Sequence, residues 1–139
     1  MELTIKEAIQ LILDFRHFPA GFWKDIPIED PLVNQFIECG YATLDPERQE
    51  KYELNNEGAD LLHTYIASIS TTFITFIKER QFSCFDSDAV NWFQSTYGLN
   101  NDTAESLYDY ITFNLENYGY KRFRFYQSTP GWGYHFEAV

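Results

Sequence analysis

One pattern occurs twice in this chain and restricts its fold more than any other feature: an amphipathic helix that ends at Gly-Tyr and leads into a short apolar strand. The first copy lies at residues 36–44 and the second at residues 115–123. Glycine is the residue that most readily adopts the left-handed conformation found at helix ends. We therefore predict that Gly40 and Gly119 end two helices with positive φ, and that a two-stranded ribbon follows each.

Capping residues and apolar residues at helical spacing predict the other helices of the first half. Thr4 and Glu7 form a capping box at the start of the first helix, and Asp30-Pro31 begins the second. A third helix is capped by Asn55 or Asn56. It is predicted to be long, because helical spacing of apolar residues then continues without an interrupting Pro or Gly.

Two more helices and two β-hairpins complete the predicted elements. One helix is capped by Asp86 or Ser87, and the other by Asp102 with Glu105 as a second capping box. Each hairpin is predicted from two apolar strands on either side of a polar or Pro-Gly turn. The strands are predicted at residues 41–44 and 51–54, with the turn at 45–50, and at residues 122–126 and 134–136, with the turn at 129–131.

The order helix, helix, β-hairpin resembles the winged helix-turn-helix family. The resemblance is carried by residues 32–66, where one helix ends in Gly40-Tyr41 and the next begins with Leu54-Asn55-Asn56-Glu57-Gly58. It extends to residues 86–136 through the order of the elements. It implies an α+β, mostly helical fold of two tandem winged-helix-like units, at 1–80 and 62–139, which share the long central helix in one compact body. The alternative is a generic α+β domain with two hairpins.

The charge of the chain opposes the DNA binding that the resemblance implies. Ten Lys and Arg against 21 Asp and Glu give a net charge of −11. Winged-helix proteins place the helix before the hairpin in the major groove, and phosphate contacts need Lys or Arg. Residues 25–60 carry ten acids against Arg48 and Lys51, and residues 81–120 carry six acids and no base. We therefore do not expect this chain alone to bind DNA.

A few residues favour DNA binding and keep it as an alternative. The amides of Asn34 and Gln35 suit adenine edges, and Lys121, Arg122 and Arg124 form a basic cluster on the second hairpin. The same cluster also fits a solvated strand face, or an internal partner for the acidic helices.

No residue pattern indicates catalysis, a cofactor or a metal. Gly131-Trp132-Gly133 lies in a hairpin turn and does not open a helix, as a nucleotide motif would. The three His residues have no metal-ligand spacing with one another or with either Cys. Cys39 and Cys84 each lie among apolar residues, which predicts buried, free thiols. We expect a protein that is not an enzyme.

Neither a signal peptide nor a membrane span is expected. The N-terminus has no basic region followed by an apolar stretch, and no apolar stretch approaches the roughly 18 to 20 residues that span a bilayer. A soluble, cytoplasmic protein is predicted, and its oligomeric state is left open.

In size, acidity and aromatic content the chain resembles bacterial toxin-immunity proteins and phage inhibitors. The predicted function is therefore to bind and neutralise a basic protein, such as a nuclease toxin or a DNA-binding protein. A winged-helix transcription regulator and a structural adaptor are the alternatives. The residues predicted to bind the partner are the acids Glu29, Asp30, Glu38, Asp45, Glu47, Asp102, Glu105 and Asp109 and the exposed aromatics Tyr41, Tyr110 and Tyr120.

Overall fold

The computed structural model describes residues 1–15, 24–25, 30–44 and 51–139. The fold is α+β and mostly helical, as predicted, with two small antiparallel sheets. The helices are α1 (Ile5–Asp14), α2 (Pro31–Glu38), α3 (Asn56–Lys78), α4 (Asp86–Tyr97) and α5 (Asn101–Asn114). The strands are β1 (Lys24–Asp25), β2 (Ala42–Leu44), β3 (Lys51–Leu54), β4 (Ser83–Phe85), β5 (Tyr120–Gln127) and β6 (Gly131–Ala138).

The chain divides into two compact units, Met1–Tyr65 and Ile66–Val139. The division falls inside α3, the long helix that both predicted units were expected to share. None of the described helices is both long and apolar enough to cross a bilayer.

The first unit begins with two helices whose caps agree with the sequence prediction. The Thr4 hydroxyl accepts a hydrogen bond from the Glu7 amide, and the Glu7 carboxylate accepts one from the Thr4 amide, which completes the capping box of α1. Asp30 caps α2 and also accepts a hydrogen bond of 2.8 Å from the Gln10 side chain. Asp30 therefore connects α1 to α2.

The sheet of the first unit has the strand order β1-β3-β2, with both pairs antiparallel. The hairpin of β2 and β3 was predicted, and its turn at 45–50 lies outside the described residues. β1 was not predicted, since two residues are too few to show a strand periodicity. Gly40 has a φ of +85°, which confirms the left-handed residue expected at the end of α2.

The Gly-Tyr pair and the start of α3 hold each other in place. The Asn55 amide donates a hydrogen bond of 3.2 Å to the Tyr41 carbonyl, and the Asn55 side chain donates one to the Gly40 carbonyl. The Asn55 side chain also accepts a hydrogen bond from the Gly58 amide, so Asn55 is the cap of α3. A Cβ atom at Gly58 would overlap the Tyr41 carbonyl. Only glycine therefore fits there.

The core of the second unit is a cluster of aromatic rings around Phe73, which is fully buried in α3. The Phe73 ring centroid lies 5.2 Å from that of Phe93 in α4, 6.3 Å from Tyr108 in α5 and 6.1 Å from Phe136 in β6. Ring contacts of this kind add to the free energy gained from burying the side chains. Much of the high aromatic content of the chain is therefore core material.

The second unit runs helix, strand, helix, helix, hairpin. Gln81 and Phe82, with φ of 56° and 62°, turn the chain from the end of α3 into β4. β4 was not predicted. It pairs antiparallel with β6, which pairs with β5, so the strand order is β4-β6-β5. Gly119 has a φ of +89° and ends a short 3₁₀ turn after α5, as predicted for a left-handed residue.

The predicted caps of α4 and α5 were wrong by one or two residues. Neither Asp86 nor Ser87 caps α4: Phe85 occupies the cap position, with no side-chain hydrogen bond. Asp86 is instead the first helical residue. Its carboxylate accepts hydrogen bonds from side chains of α5 and β5 and not from the backbone of α4.

The cap of α5 is Asn100, whose side chain accepts a hydrogen bond of 2.8 Å from the Thr103 amide. Asp102 was predicted to be this cap and lies in the first turn. Glu105 was predicted to complete the capping box, and its carboxylate accepts a hydrogen bond from the Asn101 side chain.

Candidate functional site

Helix α5 places three predicted partner-binding acids on one exposed stripe. Asp102, Glu105 and Asp109 are all exposed, and their spacing of three and then four residues puts them on the same helix face. Phe113 continues the stripe one turn further and leaves 63% of its surface exposed. The opposite face of the helix is buried. We call the four residues the α5 face.

Arg122 of β5 supports the α5 face from the sheet. Its guanidinium donates hydrogen bonds to the Asp109 carboxylate at 2.9 Å and to the Thr112 hydroxyl at 2.8 Å. The guanidinium carbon lies 5.5 Å from the Phe113 ring centroid and 4.8 Å from that of Tyr134. The Arg122 side chain is 23% exposed, against 71% for Asp109. Arg122 is thus held against α5, and the Asp109 carboxylate stays accessible.

Arg124 is held in the same way by α4. It donates to both carboxylate oxygens of Asp86 at 2.8 Å, and its guanidinium carbon lies 4.2 Å from the Tyr134 ring centroid. The Tyr108 hydroxyl donates a 2.6 Å hydrogen bond to the same carboxylate. Burial, with help from nearby Cys84 and Asp86, raises the pKa of Tyr108, so this hydroxyl keeps its proton above the ordinary phenol pKa of 10.0.

The basic cluster of the second hairpin is therefore divided. Arg122 and Arg124 are partners of the helix acids, which supports the internal-partner interpretation for these two residues. Lys121 is exposed and forms no ion pair within the described part of the chain. Two of the three bases that favoured phosphate binding are engaged inside the unit.

The predicted acids of the first unit do not form a comparable surface. Asp30 is a helix cap, and both its carboxylate oxygens accept hydrogen bonds within the unit. Glu38 is exposed at the end of α2. Glu29, Asp45 and Glu47 lie outside the described residues.

The predicted aromatic anchors are less exposed than expected. Tyr41, Tyr110 and Tyr120 are each only half-exposed. Tyr41 stacks on the ring of Phe36 at 5.1 Å, and Tyr120 stacks on Phe82 at 5.4 Å. Among the described aromatic residues, four that were not predicted as anchors have exposed side chains: Phe113 (63%), Tyr126 (59%), Trp132 (53%) and Phe123 (42%).

The thiols and potential metal ligands form no candidate catalytic or metal site in the described residues. Both cysteines are free. Cys84 is buried as predicted, and burial raises its pKa to about 11. Cys39 is exposed, contrary to its apolar sequence neighbourhood, because it follows the last residue of α2 on the solvent side. No group of three or more His, Cys, Asp or Glu side chains is positioned to hold a metal ion in the described part of the chain.

Comparison of the chain with protein-family models, with curated proteins and with solved structures finds no match.

Proposed function

We propose that this protein is a non-enzymatic binding module that neutralises a basic protein through the α5 face. The observation that carries the proposal is the exposed stripe of three carboxylates ending at an exposed phenylalanine. Carboxylates attract Lys and Arg of a partner, and an exposed aromatic ring supplies the apolar contact at the centre of an interface. An immunity or inhibitor protein is the biological role that this chemistry fits best.

The connectivity of the second unit supports a winged-helix origin for the module. The C-terminal part of α3, then β4, α4, α5 and the hairpin of β5 and β6 follow one another in that order, with the strand order β4-β6-β5. If the second unit is a winged helix, α5 corresponds to the helix that DNA-binding winged-helix proteins insert into the major groove. The exposed face of α5 carries acids and no Lys or Arg, so it suits a cationic protein instead of a phosphate backbone.

The hairpin arginines support the same choice of partner. A winged-helix protein that binds DNA needs free bases on its wing to contact phosphates. Here Arg122 and Arg124 neutralise Asp109 and Asp86 at 2.9 and 2.8 Å. Recruiting Arg124 to a phosphate would leave the Asp86 carboxylate, which is only 30% exposed, without its charged partner, and that costs free energy.

The test is a charge reversal on the α5 face. In the variant, Asp102, Glu105 and Asp109 are all changed to Lys, and association with a partner captured from the native cell is followed at two salt concentrations. We expect the association rate to fall by about tenfold or more, since charges at an interface mainly accelerate encounter. The wild-type rate should also fall steeply as salt rises, with a smaller change in dissociation.

The matched control reverses three exposed acids away from α5, namely Glu2, Glu53 and Glu79. Both variants lose the same amount of negative charge, so a general effect of net charge slows both equally. If the two variants associate at the same rate, the α5 face is not the binding surface. A partner whose binding ignores both salt and the α5 reversal would mean that these acids only solubilise the protein.

A further inference from the structure

The sheet of the second unit has a second face, and this face carries an open groove of about 700 Å³. Strand alternation places Arg122 and Arg124 on the side of the sheet that contacts the helices. The neighbouring residue Phe125 therefore points to the opposite side, and it lines the groove. The volume falls within the roughly 300–1,000 Å³ of small-molecule sites.

One wall of the groove is apolar and closely packed. The rings of Phe85 and Phe125 meet edge to face with centroids 5.4 Å apart. Gly133 of β6 lies between them, since it pairs with Phe85 of β4 on one side and with Phe125 of β5 on the other. A Cβ atom at Gly133 would lie 2.5 Å from the Phe125 ring, so the ring occupies the space that glycine leaves. The wall therefore offers a ring face and a ring edge against which an aromatic ligand can pack.

The groove also contains two charges of opposite sign without an ion-pair partner. Arg80 and Asp88 both line it, and both are exposed. Within the described residues neither forms a salt bridge, with the other or with a third residue. The Arg80 guanidinium is held 3.8 Å from the Phe76 ring centroid and donates to the Phe76 carbonyl, which limits its motion. The groove therefore presents a held cation, an anion and an apolar wall.

A hydrogen-bonded pair of polar side chains completes the lining. The Ser83 hydroxyl and the His135 Nδ1 atom lie 2.9 Å apart on paired strands, β4 and β6. The two side chains add hydrogen-bonding groups to the lining of the groove.

We propose that this groove binds a small zwitterion with a flat ring, which is the chemistry of a free aromatic amino acid. The carboxylate pairs with Arg80, the ammonium pairs with Asp88, and the ring packs against Phe85 and Phe125. A plain anion or a plain cation would satisfy only one of the two charges. No residue of α5 lines the groove, so the site is independent of the protein-binding function proposed above.

Three probes test the site: phenylalanine, 3-phenylpropionate, which lacks the ammonium, and phenethylamine, which lacks the carboxylate. Binding is followed by two-dimensional NMR on the full chain. We expect saturable shifts at Phe85, Phe125 and His135, with a dissociation constant in the millimolar range typical of a contact of about 4 kcal/mol. Phenylalanine should bind most tightly, by about two- to fivefold over either analogue, as expected for one added ion pair at an exposed site.

Two variants assign the charges. Arg80→Gln should weaken phenylalanine and 3-phenylpropionate and leave phenethylamine unchanged, and Asp88→Asn should weaken phenylalanine and phenethylamine only. Lys121→Gln is the matched control, since Lys121 is an exposed base of the same sheet that does not line the groove. Equal binding of the three probes would overturn the proposal. So would equal effects of the Arg80 and Lys121 substitutions, or no saturable shift up to roughly 20 mM probe.

Discussion

Gly40 and Gly119 show how a single residue type fixes a turn in this protein. Each has a φ near +85° to +89°, and nothing lies within 4 Å of the position where a Cβ atom would be. The requirement for glycine is therefore conformational and not steric. Gly58 is the opposite case, because a Cβ atom there would overlap the Tyr41 carbonyl whatever the backbone angle.

We expect Gly40→Ala and Gly119→Ala each to lower the free energy of unfolding by about 1 kcal/mol, the cost of a left-handed alanine. Gly58→Ala should cost more, since the backbone itself must move. Chemical denaturation of the three variants measures these differences. Melting curves of the Gly40 and Gly119 variants that coincide with wild type would contradict the conformational explanation.

Because of Cys84, the free energy of unfolding of the protein should depend on pH in the alkaline range. Burial raises the pKa of its thiol from 9.0 to about 11. Between these values the unfolded chain has lost the thiol proton and the folded chain has kept it, so the unfolded state binds fewer protons. The free energy of unfolding must then fall as pH rises through this range, by up to about 1.4 kcal/mol per pH unit. Burial raises the pKa of Tyr108 above its ordinary 10.0, which adds a loss in the same direction above that pH.

The measurement is urea unfolding at about pH 8.5 and pH 10.5 for wild type and for Cys84→Ala. We expect a smaller pH-dependent loss in the variant, because it has no thiol to ionise. The readout is the difference in the free energy of unfolding between the two pH values. The cost of the cavity left by the substitution is the same at both pH values and therefore cancels. Equal losses in both proteins would show that the thiol does not contribute.

Among the elements, α4, α5 and β5 are connected through the carboxylate of Asp86. This group accepts from the Tyr108 hydroxyl of α5 and from Arg124 of β5, at 2.6 and 2.8 Å. The second connection between α5 and β5, from Arg122 to Asp109, lies on the same side of the sheet. These bonds hold the α5 face against the hairpin, and they occupy the arginines that a DNA-binding wing would need.

We expect Asp86→Asn to lower the free energy of unfolding by about 1–3 kcal/mol, because hydrogen bonds to a charged group contribute more than neutral ones. Asp88→Asn is the control, since Asp88 lies in the same helical turn, is exposed and forms no ion pair in the described residues. It should change stability by less than about 0.5 kcal/mol. Thermal unfolding of both variants measures the two changes in stability. If the two variants lose the same amount of stability, Asp86 does not have the stabilising role assigned to it.

For the whole molecule, the distribution of charge matters more than its sum. The net charge is −11, and two of the scarce arginines are held by acids within the second unit. These two of the ten bases are then not available to a polyanion. The same distribution would attract the cationic partner proposed above, and at about 0.15 M salt charges act over roughly 8 Å, so that recognition would be local to the α5 face.

We expect no complex with duplex DNA in a gel shift at micromolar protein and about 150 mM salt, where non-specific binders with dissociation constants near 10⁻⁴ to 10⁻⁶ M begin to be visible. A variant in which Asp86 and Asp109 are changed to Asn frees both arginines. It tests whether the helix acids are what prevents phosphate binding. A shifted band with the wild-type chain would support the DNA-binding alternative.

Features that depend on neighbouring residues could be predicted from the amino-acid sequence. The capping box of α1, the Asp30 cap, the length of α3 and the positive φ of Gly40 and Gly119 all follow from local hydrogen bonding and local conformational preference, which leave their mark over a few residues. The acids of α5 share a helix face for the same reason. These elements and part of the candidate site could therefore be predicted.

Features that depend on residues far apart in the chain become visible only in the folded protein. β1 and β4 are short strands whose existence depends on pairing with β3 and β6, so no local periodicity reveals them. In β5 the arginines turn toward the helices and Phe123 turns out, against the usual rule that apolar side chains are buried. That reversal is stabilised by Asp86 and Asp109, which lie 38 and 13 residues away from their arginine partners in sequence. Long-range charge pairing of this kind overrides hydrophobic alternation, and it leaves no signal until the chain has folded.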